Sequence, residues 1–379
     1  MTSILARYLA RLFIGQLLLI MISAVALLQL FDLMSNADDL LGDMEGQSNV
    51  LLRYTLLRLP DLITFITPFS VLLAALMTFS RLHRHSELVA IQATGRPFPM
   101  IVFMLLPTLL IVAFLHFLAS DQLTPRTNRA LADWLAASET REPDDIALWL
   151  RSGDHLVSIG AIEEDGRRLQ DVVIFKRDDN GNLTAQMRAD HALFEANGWW
   201  LHGITNLTVG PKAKPPETAI HREAWQTSLQ PSLVKDLAAP PNALSIARLK
   251  QVLDHPEIGS RPLHVYETWL HKSFALPFAS LFMVALAAAS VRGLQRQGGV
   301  VLNALVGFGG AFFYFVADGV LQALGEAGSV SPALAAWLPL AVLAATSGLI
   351  LYWVTMPQGR RRAGVMPSPN DDDGQTTAA

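Results

Sequence analysis

The 379 residues contain no cysteine, so no disulfide, reactive thiol or thiolate metal site is available to the chain. Charge is also sparse: Asp, Glu, Lys and Arg make up 16% of the residues, against roughly a quarter in an ordinary soluble domain. The signatures of self-contained catalysis are missing as well. No G-x-x-x-x-G-K-[ST] run cradles a nucleotide, no H-E-x-x-H places two zinc ligands on a helix face, and no G-x-S-x-G forms a nucleophile elbow. The ten histidines are scattered, and the two-residue spacing of His83 and His85 fits neither a helix face nor a zinc pattern. No catalytic residue and no metal ligand is therefore expected, and the chain is not read as an enzyme. The net charge of −4 gives no argument for a nucleic-acid partner, and none is expected.

Apolar residues are what the chain has in excess. Six runs are free of Asp, Glu, Lys and Arg: Leu12 to Phe31, Leu62 to Ser80, Pro97 to Ser120, Ser273 to Val291, Gln297 to Ala317 and Ala333 to Val354. At 19 to 24 residues each, a helix rising about 1.5 Å per residue crosses a hydrocarbon core of about 30 Å. Six such runs at a mean hydropathy of +0.33 describe a polytopic membrane protein. The first run is too long for a signal peptide and no small-residue cleavage pattern follows it, so it is expected to remain in the mature protein.

Basic residues set the orientation. Arg7 and Arg11, then Arg81, Arg84 and Arg96, then Arg292 and Arg296, and last Arg360 to Arg362 all fall on one side of the spans. The other side carries Asp38, Asp39, Asp43, Glu45 and Glu326 against Arg53 and Arg58. Both termini are therefore expected in the cytoplasm and the long insert outside it.

The chain divides into residues 1–121 with three spans, an insert over 122–271, residues 272–356 with three more spans, and a polar tail over 357–379 that is expected to be disordered. The insert begins with a helical pattern through Asn128, Ala130, Leu131, Trp134 and Leu135. From about 143 to 230 the period shortens to two. Ile146 to Leu150, His155 to Ile159, Val172 to Phe175, Leu183 to Arg188, Ala192 to Glu195 and Trp199 to Val209 read as strands, and Asp178-Asp179-Asn180-Gly181 as a hairpin turn. This pattern predicts an antiparallel sandwich or jelly roll. Beyond Trp225 a Pro-rich return linker leads to a helix over Ser245 to Leu253.

Ionisable residues in or beside spans are costly and hence informative. Asp32, Asp121 and Asp318 stand near outer ends of spans and none at a bilayer centre, which argues against a proton relay. Asp318 with Gln322 one turn on can face either a wet cavity or the interface. His116, a turn inside the third span, is expected to make a helix–helix hydrogen bond. Between spans two and three, Ser86 can cap a short helix over 86–95 with Glu87 in its first turn, an apolar side of Leu88, Val89 and Ile91, and Gly95 before Pro97 as its stop.

The run His85-Ser86-Glu87-Leu88-Val89-Ala90-Ile91-Gln92-Ala93-Thr94-Gly95 resembles the coupling segment of the lipopolysaccharide export permeases, the LptF/LptG family. Phe312-Phe313-Tyr314 with Leu324-Gly325, Gly328, Pro332 and Ala335-Ala336-Trp337-Leu338-Pro339 resembles that family's last two spans, and Asn242 to Ile246 with Leu249 resembles the LptG branch at its return linker. The likeness runs from Arg7 to about Trp353 in the family's order of three spans, a β domain and three spans.

The resemblance implies an α-helical polytopic membrane protein of six transmembrane helices with an inserted periplasmic antiparallel β-jellyroll, in the inner membrane of a Gram-negative cell. It implies a non-catalytic half of an ABC transporter that extracts lipopolysaccharide and passes it to a periplasmic bridge. The implied partners are an LptF-like second permease chain, an LptB-like cytoplasmic ATPase dimer that uses ATP, and an LptC-like single-span protein with its own jellyroll; no cofactor is bound by this chain. Glu87 would contact the ATPase, with Leu88 and Ile91 seating the helix in its groove and Gly95 ending it. Phe312, Phe313 and Tyr314 would lie at the lipid opening between the first and fifth spans. The lysines that LptG relatives carry near the outer end of the first span align with Gln29, Ser35 and Asn36, so the lipid-binding candidates are Gln29, Asp32, Arg53, Arg58, Arg126 and Arg129. Two alternative classes are a membrane receptor and a secondary carrier, each with the β domain as sensor; no cytoplasmic segment is long enough for an output domain and no midplane charge supports a carrier. Glu87→Arg is expected to lower copurification of the ATPase while leaving membrane insertion intact; undiminished copurification in a pull-down would exclude the docking role.

Overall fold

The computed structural model describes residues 2–42, 49–138, 148–163, 166–177, 182–196, 198–208, 217–219, 222–293 and 300–355. The first apolar run lies in helix α1, Thr2–Gly42, and the second in α2, Val50–Arg84. A seven-residue helix, α3, Glu87–Ala93, follows. The third run is α4, Phe98–Met104, and α5, Leu106–Leu118, which continues through a π-turn at Ala119–Leu123 into α6, Thr124–Ser138. The amphipathic pattern of α6 is realised by burial of Leu131 and Trp134 against Val50 and Tyr54 of α2.

The middle of the chain is an antiparallel sheet of eight strands. They are β1 Leu148–Ser152, β2 His155–Glu163, β3 Arg168–Arg177, β4 Leu183–Glu195, β5 Gly198–Thr208, β6 Glu217–Ala219, β7 Glu223–Trp225 and β8 Ile258–Gly259. The order is β6-β5-β4-β3-β2-β1-β8, with β7 beside β5, so consecutive strands meander. The two short strands expected at Leu183–Arg188 and Ala192–Glu195 are one strand: β4 pairs with β5 from Ala185↔Thr208 to Glu195↔Gly198. The polar residues that look like a break keep the register of the pair, Ala189↔Ile204 on one side and His191↔His202 on the other, and opposite them Gly203 at φ +69° lets the backbone come so close to Asp190 that a Cβ would collide with its carboxylate. The Asp178–Gly181 turn and the tail over 357–379 lie outside the described residues.

Alternate residues of the strands form one apolar layer, including Val157, Ile159, Leu169, Val172, Ile174 and Leu201. This layer packs on α7, Pro231–Ala238, and α8, Ile246–Leu253, through Leu233, Val234, Leu237, Leu249 and Val252. Helix α7 occupies what reads in the sequence as a Pro-rich linker. Pro231 sits at its first turn, where a missing N–H costs nothing, so the proline starts the helix rather than preventing one.

The chain returns through α9, Leu263–Gly293, α10, Val300–Glu326, and α11, Pro332–Thr355. Six helical segments are thus long and apolar enough to cross a membrane. Helices α2 and α9 pack together, α1 lies on α2, and α10 and α11 lie on α9. Among the described residues, close approach is set by small side chains: a Cβ on Gly325 would stand 2.6 Å from that of Ala335, which fixes glycine where α10 meets α11.

Trp199 is 1% exposed, donates its indole N–H to the Leu229 carbonyl at 2.7 Å and meets Phe194 edge-on with centroids 5.3 Å apart. Trp199→Ala is expected to cost about 3–5 kcal/mol of sheet-domain stability by cavity formation and a lost buried hydrogen bond. The measurement is thermal unfolding followed by near-ultraviolet circular dichroism; a midpoint unchanged from the parent would contradict it.

Candidate functional site

At the end of the bundle that carries the sheet, a cavity of about 810 Å3 opens between α1, α2, α9 and α10. Its apolar wall includes Leu28, Phe65, Leu276 and Phe315, and the linker residues Pro241, Asn242 and Leu244 close it toward the sheet.

Two charge groups face each other across the polar part of this cavity. On one side the Arg58 guanidinium stands 2.9 Å from Asp61 and 3.5 Å from Asp32, while the Tyr54 hydroxyl donates to Asp32 at 2.7 Å. On the other side the Lys272 ammonium lies 2.6 Å from the Asp318 carboxylate and donates to Gln322 as well. Lys272 and Asp318 are both more than four-fifths buried, so the pair is desolvated while still reaching the cavity. Asp318 and Gln322 therefore face a cavity rather than the interface, the first of the two alternatives that the sequence leaves open.

The site candidates separate in space. Asp32, Arg58 and Tyr314 line the cavity. Phe312 and Phe313 point outward at 69% and 65% exposure, because the inward arc of that turn of α10 is taken by Tyr314 and Phe315. Gln29 is 7% exposed beside the cavity, and its amide nitrogen and oxygen have no partner among the described residues. Arg53 stacks over Trp134 at 5.2 Å, away from the cavity. Arg129 is bound to Asp236 at 2.6 Å and Arg126 to Gln122 at 3.0 Å, also outside it. Lys272, Asp61 and Tyr54 are the lining or supporting groups that the sequence reading missed. The available signal for Lys272 was its position: it is the last charge before the fourth apolar run, as Asp318 is the first charge after the fifth.

A second cavity, of about 670 Å3, lies between α6, α7 and the sheet, and shares Arg58 and Asn242 with the first. Its floor holds Asp236, 1% exposed and bound by Arg129 and, at 3.4 Å, by Arg248. Burial pushes the Asp236 carboxyl above the usual carboxylate range, and that desolvation outweighs the opposing pull of the two guanidiniums.

Helix α3 sits at the opposite end of the bundle. Gly95 at φ +84° terminates its last turn, donating its N–H to Gln92 at 2.9 Å. Ser86 does not cap it: its backbone is left-handed at φ +58°, and the hydroxyl makes no cap bond. The side assigned to a partner groove also differs. Leu88 is 2% exposed in the core of the helix bundle and Ile91 packs against that core, whereas Val89 is 59% exposed. With its two larger apolar residues used to hold it on the bundle, α3 presents Val89 and Glu87 outward. Glu87 accepts a hydrogen bond from the Tyr8 hydroxyl of α1 at 2.8 Å, which ties this helix to the start of the first span. At the other depth extreme, His116 bridges α5 to the Thr64 carbonyl of α2 at 3.1 Å and to the Ser280 hydroxyl of α9 at 3.4 Å, the interhelical contact expected of it.

An apolar-walled chamber with paired charges, set among six membrane-length helices and roofed by a sheet domain, belongs to a membrane permease rather than to a soluble binding protein. The lipopolysaccharide export system permease LptF/LptG family matches residues 7–353, and the chain belongs to that family. It is 23% identical over 314 residues, 80% of this chain and 84% of the relative, to the lipopolysaccharide export system permease protein LptG of Escherichia coli strain K12. The same identity and coverage hold for the LptG protein of Escherichia coli O6:H1 strain CFT073.

The Lys272–Asp318 pair supplies a test of the geometry. Asp318→Leu alone is expected to destabilise the detergent-solubilised chain by about 3 kcal/mol, because it strands a desolvated ammonium. The Lys272→Met/Asp318→Leu double variant should recover most of that loss in thermal unfolding. Additive losses would mean that the two groups do not meet.

Proposed function

We propose that the chain is the LptG-like transmembrane subunit of an ABC transporter that takes lipopolysaccharide from the outer leaflet of the inner membrane and moves it toward a periplasmic bridge. The observation that carries the reading is the 810 Å3 cavity beneath the sheet, with an apolar wall for acyl chains and Arg58 and Lys272 at its polar part. A lipid with several acyl chains loses water-exposed apolar area on entering such a space, and its anionic headgroup gains charge partners there. The second cavity, reached past Arg58 and Asn242, supports onward transfer into the sheet domain. Arg58 is then the first-choice replacement for the lysines of the LptG relatives, and it must exchange Asp32 and Asp61 for the ligand.

In this reading both termini and α3 are cytoplasmic and the sheet is periplasmic. Exposed apolar residues on α1 and α10, among them Leu19, Ile22, Leu305 and Phe312, border the lateral opening and the contact with an LptF-like chain and an LptC-like single-span protein. Energy enters where Glu87 and Val89 meet an LptB-like ATPase dimer; this chain itself binds no cofactor. A photoreactive residue at Phe65 or Phe315 is expected to crosslink lipopolysaccharide in an ATP-dependent manner, whereas one at the outward Phe114 of α5 should crosslink bulk lipid irrespective of ATP. Affinity purification should bring the ATPase and a second six-span chain. Purification without them, or identical crosslinking at all three positions, would reject the proposal.

A further inference from the structure

The π-turn at Ala119–Leu123 does more than lengthen α5 into α6. An extra residue in one turn re-phases the helix, so that Ser120 and Thr124 line the 810 Å3 cavity while Asp121, Gln122 and Arg126 line a separate, smaller pocket. That pocket holds about 210 Å3, several times the roughly 30 Å3 that a water molecule occupies in the liquid. It shares no lining residue with the large cavity. Its other walls come from Arg129 of α6 and from Ser245 and Arg248 at the start of α8.

The charges of this pocket do not balance. Three guanidiniums, Arg126, Arg129 and Arg248, stand against one carboxylate in the lining, Asp121. Both Asp121 oxygens are already engaged: one accepts the Ile246 backbone N–H at 2.7 Å and the other accepts from the Gln122 amide at 2.6 Å. Arg129 and Arg248 divide a single carboxylate, Asp236, between them, and the Arg129 Nε is buried without a hydrogen-bond partner. Arg126 is held by the neutral Gln122 amide oxygen and, among the described residues, meets no carboxylate. The Ser245 hydroxyl makes no capping bond at the start of α8, whose first N–H, that of Ile246, is donated to Asp121. Unspent donors thus converge from two helices, and the free end of α8 contributes nothing to the count.

We propose that this pocket is an anion site for a phosphate group, with Arg126 and Arg248 as its principal ligands, Ser245 as a neutral donor and Arg129 as a partly committed third cation. A phosphate offers several acceptor oxygens to planar guanidinium forks, a geometry that a halide or a carboxylate matches less fully. The group can be carried by a lipid headgroup or be free phosphate. The site stands apart from the export reading; only the choice of a lipid-borne phosphate rests on that reading.

The test uses the full-length chain with its copurifying subunits in phosphatidylcholine nanodiscs. Binding is followed by phosphorus NMR and thermal shift on titration with inorganic phosphate, and separately on incorporation of a phosphorylated glucosamine-disaccharide lipid or its dephosphorylated counterpart. Phosphate-dependent binding is expected, weakened at least tenfold by Arg126→Gln or Arg248→Gln and less by Arg126→Lys, which keeps the charge but not the fork. Ser245→Asp, which suits a helix start, should abolish binding without loss of thermal stability. Response to the phosphorylated lipid alone assigns a headgroup, and response to inorganic phosphate as well assigns a general phosphate site. Absence of phosphate-dependent binding, or binding untouched by Ser245→Asp and Arg126→Gln, overturns the proposal. Loss of the copurifying ATPase with phosphate binding intact would instead overturn the export reading and leave the site standing.

Discussion

The contact of α2 with α9 is the interaction on which the remaining architecture rests. Between lipid chains, apolar side chains gain little by leaving one hydrocarbon surroundings for another, so helices associate through close packing and interhelical hydrogen bonds. Ala74 and Ala75 of α2 and Ala279, Ala287 and Ala288 of α9 are fully buried in the shared core. His116 fastens α5 to both helices at once. With these two helices joined, α1 hangs on one side and α10 and α11 on the other. The large cavity is the space that this arrangement leaves between α1 and α10 near the sheet.

Charge is placed to suit that space. An isolated ammonium or carboxylate in a membrane helix is expensive, and the charged groups that line the large cavity are paired: Arg58 with Asp61 and Asp32, Lys272 with Asp318. These pairs stand at the polar part of the cavity and not across its apolar wall. The sheet domain meets the bundle through a third grouping, Asp236 with Arg129 and Arg248, which locks α6 to α7 and α8. Displacement of the sheet relative to the bundle would have to break it.

Family membership was legible because the relevant signals are local. The Glu87 to Gly95 segment and the order of three spans, β domain and three spans are continuous stretches of text. Side-chain facing is not local. Arg53 and Arg58 look alike in sequence, yet five residues of helix rotate them about 140° apart, one onto Trp134 and the other into the cavity. Leu88 and Val89 are neighbours with opposite fates for the same reason. Ser86 sits where a cap is expected but its left-handed backbone removes the hydroxyl from the task. The fusion of two predicted strands into β4 depended on a glycine in the partner strand β5, which no window along β4 contains.

The sequence by itself determined that six segments can cross a membrane, that the insert is antiparallel β structure and that the chain belongs with the lipopolysaccharide export permeases, since hydropathy, period and motif are all written along the chain. Only the tertiary structure decided which charges meet. Lys272 and Asp318 are separated by 46 residues and Asp121 and Ile246 by 125, and their pairing follows from how helices rotate and pack, a property of the assembled bundle that no single segment carries. The same holds for the π-turn, whose one extra residue assigns adjacent side chains to two different pockets.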